Sequence, residues 1–313
     1  METWGYSNNI IIFEMPNKLY IMNSQQNLKR RVLRMFPVRL VKEHFNLTGH
    51  QSDVVNEIVE KNTINSIYTF ALNNVSNTKQ HVYIYNYRIG FNENNFVVRD
   101  FPLPVNRHFR DANGYHIHCM PIVKFSATIK DLGNGSYTDV VMNFPQPIVI
   151  TVTGSHVIIR ATILEKNVGS YIAGGNSESF NVSKDVEDDF TSYIVEFFSA
   201  ANYRPTICDI NTGIKSLCDN NILDFRSLKV LKVESTATEV MHGEKTFKQT
   251  YPDEYAATML NPLSKSIFKY IPADDRLCRN FAADPNIGKL SITLFPENPH
   301  QVNNLITQIL INN

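Results

Sequence analysis

A run of residues that alternates between apolar and polar positions extends from residue 78 to residue 168, and it limits the fold of this chain more than any other feature. The clearest segment is His81–Tyr87, whose sequence HVYIYNY is rich in aromatic and β-branched residues. Such alternation predicts a half-buried strand. Further strands are predicted at residues 96–99, 115–130, 137–144, 148–153 and 157–164. Because Asn134-Gly135 tolerates the positive φ angles of a tight turn, we expect a central antiparallel meander.

The segments on either side of this meander have a different periodicity. Before it, a first strand near residues 10–21 is followed by apolar positions at helical spacing from residue 24 to residue 73. After it, residues 169–179 form a break rich in Gly and Ser, and the remaining sequence mixes helical and strand patterns. We therefore predict an α+β fold in three parts: a first strand with a helical subdomain (1–77), a central antiparallel sheet (78–168) and a mixed α/β C-terminal half (180–313).

Composition excludes several classes of protein. Hydrophobic residues make up 43% of the chain, which excludes a disordered protein, and 30 Lys+Arg balance 30 Asp+Glu, which excludes a globally basic nucleic-acid coat. The 4 cysteines lie far apart without a C-x-x-C pair, so we expect buried, reduced thiols. No apolar run approaches the roughly 18 residues of a membrane span, and residues 1–6 lack the basic and apolar regions of a signal peptide. We expect a cytoplasmic protein with no membrane partner.

The short motifs of several common enzyme classes are absent from the sequence. It contains no G-x-x-x-x-G-K-[ST] phosphate loop, no G-x-G-x-x-G fingerprint, no H-E-x-x-H zinc motif and no G-x-S-x-G elbow. No acid-x-Lys triplet of a common nuclease core occurs either. These absences favour a protein without catalytic activity or a bound cofactor.

One pair of histidines is the exception that could carry metal chemistry. His116 and His118 are two residues apart in a predicted strand, so both side chains point to one face and could share a Zn or Mn ion. A metal-dependent nuclease or hydrolase is therefore one alternative. The other interpretation is a pair of histidines that are exposed or hydrogen-bonded at the edge of the sheet.

Basic residues are concentrated in the helical subdomain. The first fifty residues carry seven Lys or Arg and three Glu, although the whole chain is neutral. A local excess of positive charge can neutralise phosphates. The residues that we predict to contact phosphate are Arg30, Arg31, Arg34, Arg39 and Lys42.

The segment from residue 38 to residue 60 resembles the helix–extended loop–helix of SAP-type DNA-binding modules. In that family an apolar helix leads to a loop with a Leu, a small polar residue and a Gly, and a second helix follows. The matching positions in this sequence are Leu40, Leu47, Gly49, Val54 and Ile58. The position two after the glycine, often Lys in the family, is Gln51 here, and His50 precedes it. The order of a helical region before a β-rich one is also similar to that of the kinetochore protein CENP-N.

Together these observations favour a non-catalytic protein that binds nucleic acid, with duplex DNA as the expected partner, or that acts as a scaffold. The cluster of positive charge predicts that the phosphate contacts come from Arg30, Arg31, Arg34, Arg39 and Lys42. His50 and Gln51 lie in the loop that we expect to present backbone amides at a helix start. The nearest alternative is a protein-interaction subunit of a larger assembly, with a homodimer as one form of it. The metal-dependent enzyme that uses His116 and His118 is the third.

Overall fold

The computed structural model describes residues 11–15, 18–22, 25–87, 92, 97–133, 135–164, 177–180, 185–231, 236–241 and 245–313. Its α-helices are α1 Gln25–Arg34, α2 Val38–Phe45, α3 Gln51–Lys61, α4 Ile64–Asn73, α5 Asp185–Ala200, α6 Asn211–Asp219, α7 Phe247–Thr250, α8 Pro252–Leu260 and α9 Gln301–Ile311. Its strands are β1 Ile11–Met15, β2 Lys18–Met22, β3 Gln80–Asn86, β4 Val105–Asp111, β5 Gly114–Cys119, β6 Ile122–Asp131, β7 Tyr137–Pro145, β8 Ile148–Val152, β9 His156–Thr162, β10 Ser177–Phe180, β11 Thr206–Ile207, β12 Leu223–Leu231, β13 Thr236–Val240, β14 Ser266–Tyr270, β15 Asn280–Asp284 and β16 Lys289–Ile292.

A large antiparallel sheet joins the central region to the C-terminal half. Its strand order is β13-β12-β14-β15-β16-β3-β9-β8-β5-β4, and the short β11 also pairs with β3. The junction is the pairing of β16 with β3, in which Leu290 lies opposite Val82. The break that we predicted at residues 169–179 thus separates two stretches of chain whose strands belong to one sheet.

The hairpin of β6 and β7 leaves this large sheet and enters a smaller one, whose order is β1-β2-β7-β6-β10. The departure occurs at Met120-Pro121, between β5 and β6. Because Pro121 has no backbone N–H, it cannot continue a ladder of hydrogen bonds through this point. The single strand that we predicted over residues 115–130 is therefore two strands in two sheets.

The large sheet is covered by helices on both faces. On one face, Ile117, Ile150 and Ile159 pack in a core with Ile194 and Phe198 of α5. On the other face, neighbouring strand positions pack with apolar residues of α6 and α9. Since successive residues of a strand point to opposite faces, every second residue of β5, β8 and β9 looks toward the α9 side.

The N-terminal helices form a third core of their own. Val32, Val41, Ile58 and Phe70, one from each of α1 to α4, are all buried in it. Phe144 of β7 belongs to the same core, so the smaller sheet packs against these helices. The position of α1 between the other helices and β7 decides which of its charged residues reach solvent.

The predicted α+β class is confirmed, with helices ahead of a large antiparallel sheet and a mixed C-terminal half. One predicted strand is wrong, because Val98–Asp100 is a turn of 3-10 helix. The chain then forms β4, an edge strand that the sequence analysis missed because six of its seven residues are exposed and lack alternation. Asn134, most of the 169–179 break and residue 96 lie outside the described residues.

The four cysteines are free and buried, as expected from the sequence. Burial raises the pKa of the Cys119 thiol to about 12 and that of Cys278 to about 12. Thiols with such pKa values are not nucleophiles at neutral pH.

Candidate functional site

Residues 38–61 fold into two helices joined by a short extended connection. The chain leaves α2 at Asn46, which has a left-handed φ of 52°, and the amide of Leu47 donates to the Lys42 carbonyl at 3.0 Å. Gly49 has a φ of 122°, a conformation that a side chain would strain. His50 then precedes α3 in an extended conformation, and its side chain makes no capping hydrogen bond. Asn46 and Gly49 together set the angle between the two helices.

The connection and α2 enclose an open cleft of about 670 Å³, which we call the α2–loop cleft. Arg39 and Lys42 line it on the helix side, and residues 47–49 line it on the loop side. Arg39 is strongly exposed, and its Nε donates to Glu43 Oε1 at 2.6 Å across one helical turn. His50 and Gln51 are exposed where α3 begins. The structure thus brings Arg39 and Lys42 together in the cleft, whereas His50 and Gln51 follow its loop side in the chain and are not part of the lining.

Arg31 does not belong to this surface. Its side chain is only 1% exposed, and its guanidinium carbon lies 4.3 Å from the centre of the Phe144 ring. The prediction that Arg31 contacts phosphate is wrong because β7 covers the side of α1 from which Arg31 projects. An arginine of this kind stabilises the fold through its packed methylene stem and its contact with the ring.

The remaining predicted cations of α1 are not among the residues that line the cleft. Arg30 is half-buried and donates to Asn56 Oδ1 of α3 at 3.3 Å, whereas Arg34 is exposed at the end of α1. Acidic residues on α3, among them Asp53 and Glu57, offset part of this positive charge. The five predicted cations therefore do not form one continuous exposed face.

The histidine pair is buried and bonded to protein groups. Nε2 of His116 lies 2.8 Å from Asp111 Oδ1, and Nδ1 of the same ring lies 3.1 Å from Thr151 Oγ1. His118 accepts a hydrogen bond at Nδ1 from Nε of Arg107 at 3.2 Å. Within the residues that the structure describes, no three His, Cys, Asp or Glu side chains are grouped so as to hold a metal ion.

The electrostatics around these histidines are set by burial and by two arginines. Burial lowers the pKa of His118 to about 3, and the charges of Arg107 and Arg160 act in the same direction. Burial works to raise the pKa of Asp111, but hydrogen bonds from His116 and from the Asn113 amide outweigh it, so this pKa lies below its usual range. At neutral pH His118 is thus uncharged and Asp111 is ionised.

A cavity of about 330 Å³ lies between this face of the sheet and α9, and we call it the β9–α9 cleft. It is lined by Asn113, His116, Thr151, Thr153, His156, Ile158, Arg160, Asn303, Ile306, Thr307, Leu310 and Ile311. The sequence analysis did not single out Arg160. The signal that it could have used is an arginine at an alternating position within the apolar run of β9.

Comparison of the chain with protein-family models, with curated proteins and with solved structures finds no match. None of the helices in the described parts of the chain is both long enough and apolar enough to cross a membrane.

Proposed function

We propose that the protein binds nucleic acid, with duplex DNA as the expected partner, through the α2–loop cleft. The observation that carries the proposal is that Arg39 and Lys42 line one open concave surface together with residues 47–49 of the loop. Positive side chains together with backbone amides are the usual partners of a phosphodiester backbone. An open cleft also suits a rod-shaped ligand that extends past the protein on both sides.

The contacts would be with phosphates and would carry little sequence information. Arg39 and Lys42 lie three residues apart on α2, and neighbouring side chains at this spacing share one helix face. The ion pair of Arg39 with Glu43 is exposed, so a phosphate can compete for the guanidinium at small cost. His50 and Gln51 would add hydrogen bonds at the start of α3.

A titration against salt tests this function. Fluorescence anisotropy of a labelled 20-base-pair duplex, repeated between about 50 and 200 mM salt, measures how many counterions binding releases, at about 0.9 per neutralised phosphate. The double change of Arg39→Ala and Lys42→Ala should weaken binding and reduce the slope of log affinity against log salt by up to about two. A single-stranded DNA and an RNA duplex of the same length show whether the surface prefers one nucleic acid.

The chain offers a matched control for this variant. Lys61 pairs with Glu57 at 2.7 Å, across one turn of α3, in the same way as Arg39 pairs with Glu43 at 2.6 Å. Lys61 lies outside the cleft lining, so Lys61→Ala should leave the affinity and the salt slope unchanged. If none of the nucleic acids binds at about 50 mM salt, or if the double variant and the control behave alike, the proposal is wrong and the surface is left to a protein partner.

A further inference from the structure

We propose that the β9–α9 cleft is a binding site for a small organic anion, a carboxylate or phosphate monoester whose charged group is held by Arg160 and whose apolar part lies toward α9. This site shares no residue with the α2–loop cleft, so the proposal stands independently of nucleic-acid binding.

Arg160 is a buried cation for which the described part of the chain supplies no acidic partner. Its side chain is 6% exposed, and its one hydrogen bond within the described chain goes from Nη1 to the amide oxygen of Asn303 at 2.6 Å. Its Nε is buried and has no hydrogen-bond partner among the described residues. Burial lowers the pKa of Arg160 to about 10, so the guanidinium still carries its charge at neutral pH. A neutral amide such as Asn303 accepts one hydrogen bond but cannot compensate that charge.

Two other cations in the described part of the chain, the half-buried Lys269 and the buried Lys29, are balanced locally. Lys269 pairs with the buried carboxylate of Asp224 at 3.2 Å. Nζ of Lys29 donates to the carbonyls of Val59 at 3.0 Å and of Asn62 at 2.6 Å, where α3 ends and its dipole is negative. An uncompensated buried charge costs several kcal/mol, so a site that retains one points to a function rather than to stability.

Asp111 is a carboxylate that bonds to a residue of the cleft lining. Its Oδ1 lies 2.8 Å from Nε2 of His116. Among the described residues that line the cleft there is no Asp, Glu or Lys, and Arg160 carries the permanent charge. Burial also lowers the pKa of His156, which keeps this ring neutral near pH 7. The buried guanidinium of Arg160 is therefore the group in this lining that would attract an anion.

The remaining lining sets the size and chemistry of the ligand. Thr151, His116 and Asn303 offer hydrogen-bonding groups around Arg160, while Ile306 and Leu310 offer apolar contact along α9. A volume of about 330 Å³ is at the small end of the range for ligand sites. Guanidinium groups bind carboxylate and phosphate oxygens through charge-assisted hydrogen bonds, which are strong where water is excluded. These features fit one oxyanion attached to a compact apolar body.

Calorimetric titration of the full chain at pH 7 with four defined compounds tests the proposal. The compounds are benzoate, phenyl phosphate, inorganic phosphate and the neutral benzamide. We expect benzoate or phenyl phosphate to bind with a dissociation constant of about 1 mM or below, and benzamide not to bind, because the charge provides the selectivity. Which of the two binds more tightly identifies a carboxylate or a phosphate site. If inorganic phosphate binds as tightly as phenyl phosphate, the proposal that an apolar part of the ligand lies toward α9 is wrong.

Two variants test the charge and the space separately. Arg160→Met keeps the length of the side chain and removes the charge, and it should weaken the binding anion at least about thirtyfold. The matched control is Arg226→Met, an exposed arginine on β12 of the same sheet, which should bind like the unmodified protein. Leu310→Trp narrows the cleft and leaves Arg160 in place, so it should weaken phenyl phosphate more than inorganic phosphate.

Several results would overturn the site. They are no binding by any of the three anions at about 10 mM, equal binding of benzamide and benzoate, and an unchanged affinity in Arg160→Met. Circular dichroism shows whether Arg160→Met is folded. If it is not, Leu310→Trp tests the site instead, because an unchanged affinity for phenyl phosphate in this variant would place the anion outside the cleft.

Discussion

The α2–loop cleft and the β9–α9 cleft hold their cations in opposite ways. Arg39 on the first is 89% exposed in its side chain and pairs with Glu43 in full contact with water. Arg160 in the second is 6% exposed and has a neutral amide as its hydrogen-bond partner. The first surface carries several charges of both signs, whereas the lining of the second carries one.

This difference separates two kinds of binding. Exposed, paired charges contribute little to stability and act mainly on a large polyanion, whose many phosphates each release counterions. A buried cation without an acid lowers stability, and in return its field is barely screened by salt. We therefore expect ligand binding in the β9–α9 cleft to respond weakly to salt and strongly to ligand charge, and the reverse for the α2–loop cleft.

The largest expected effect tests whether burial, rather than charge, decides the role of an arginine. Arg31→Ala should lower the free energy of unfolding by about 2–4 kcal/mol, because it removes a fully buried side chain packed on Phe144. Arg34→Ala, three residues further on the same helix but exposed, should change it by less than about 0.5 kcal/mol. Urea unfolding of both variants measures the difference. Equal losses would contradict the placement of α1 against β7.

An effect of intermediate size on the free energy of unfolding is expected when the pH is lowered, because of the buried His118. The pKa of His118 is about 3 in the fold and 6.5 ordinarily, so between these values the unfolded chain binds a proton that the folded chain does not. Stability should therefore fall as the pH drops below about 6.5, with a contribution from His118 of about 1.4 kcal/mol per pH unit.

The variant His118→Gln isolates this contribution. Its amide oxygen can still accept from Arg107, but it takes up no proton, so the decline in stability from pH 6 to pH 4.5 should be shallower by about that amount per pH unit. Urea unfolding at three pH values measures both slopes. Identical slopes in the two proteins would show that His118 is not a buried neutral base.

The smallest expected effect on the free energy of unfolding comes from the exposed ion pairs. Arg39→Ala and Lys61→Ala each break an exposed ion pair across one helical turn, and each should change the free energy of unfolding by less than about 0.5 kcal/mol. Thermal unfolding in low and high salt measures these changes. A loss above about 1 kcal/mol for Arg39→Ala alone would mean that Arg39 has a structural role, and it would weaken the case that it is available to phosphate.

The fold could be predicted from the sequence where local periodicity and burial agree. The strand at His81–Tyr87 and the helical spacing of residues 24–73 were both predicted. They appear as β3 and as α1 to α4, because their apolar positions repeat at the period of the element. The edge strand β4 was missed for the opposite reason, since an exposed strand with polar residues on both sides carries no alternation. The sheet order was also beyond the sequence, because the pairing of β16 with β3 joins residues some two hundred positions apart.

For the candidate sites, too, some features could be predicted from the sequence and others could not. By itself the sequence determined that the N-terminal helices carry an excess of Lys and Arg, and that His116 and His118 share one face of a strand. Only the tertiary structure decided that Arg31 is buried against Phe144 and that Arg160 lies in a cleft whose described lining contains no acid. The physical reason is that the charge of a side chain belongs to the residue, whereas its exposure and its counter-charge belong to neighbours that are distant in the chain and are brought together by folding.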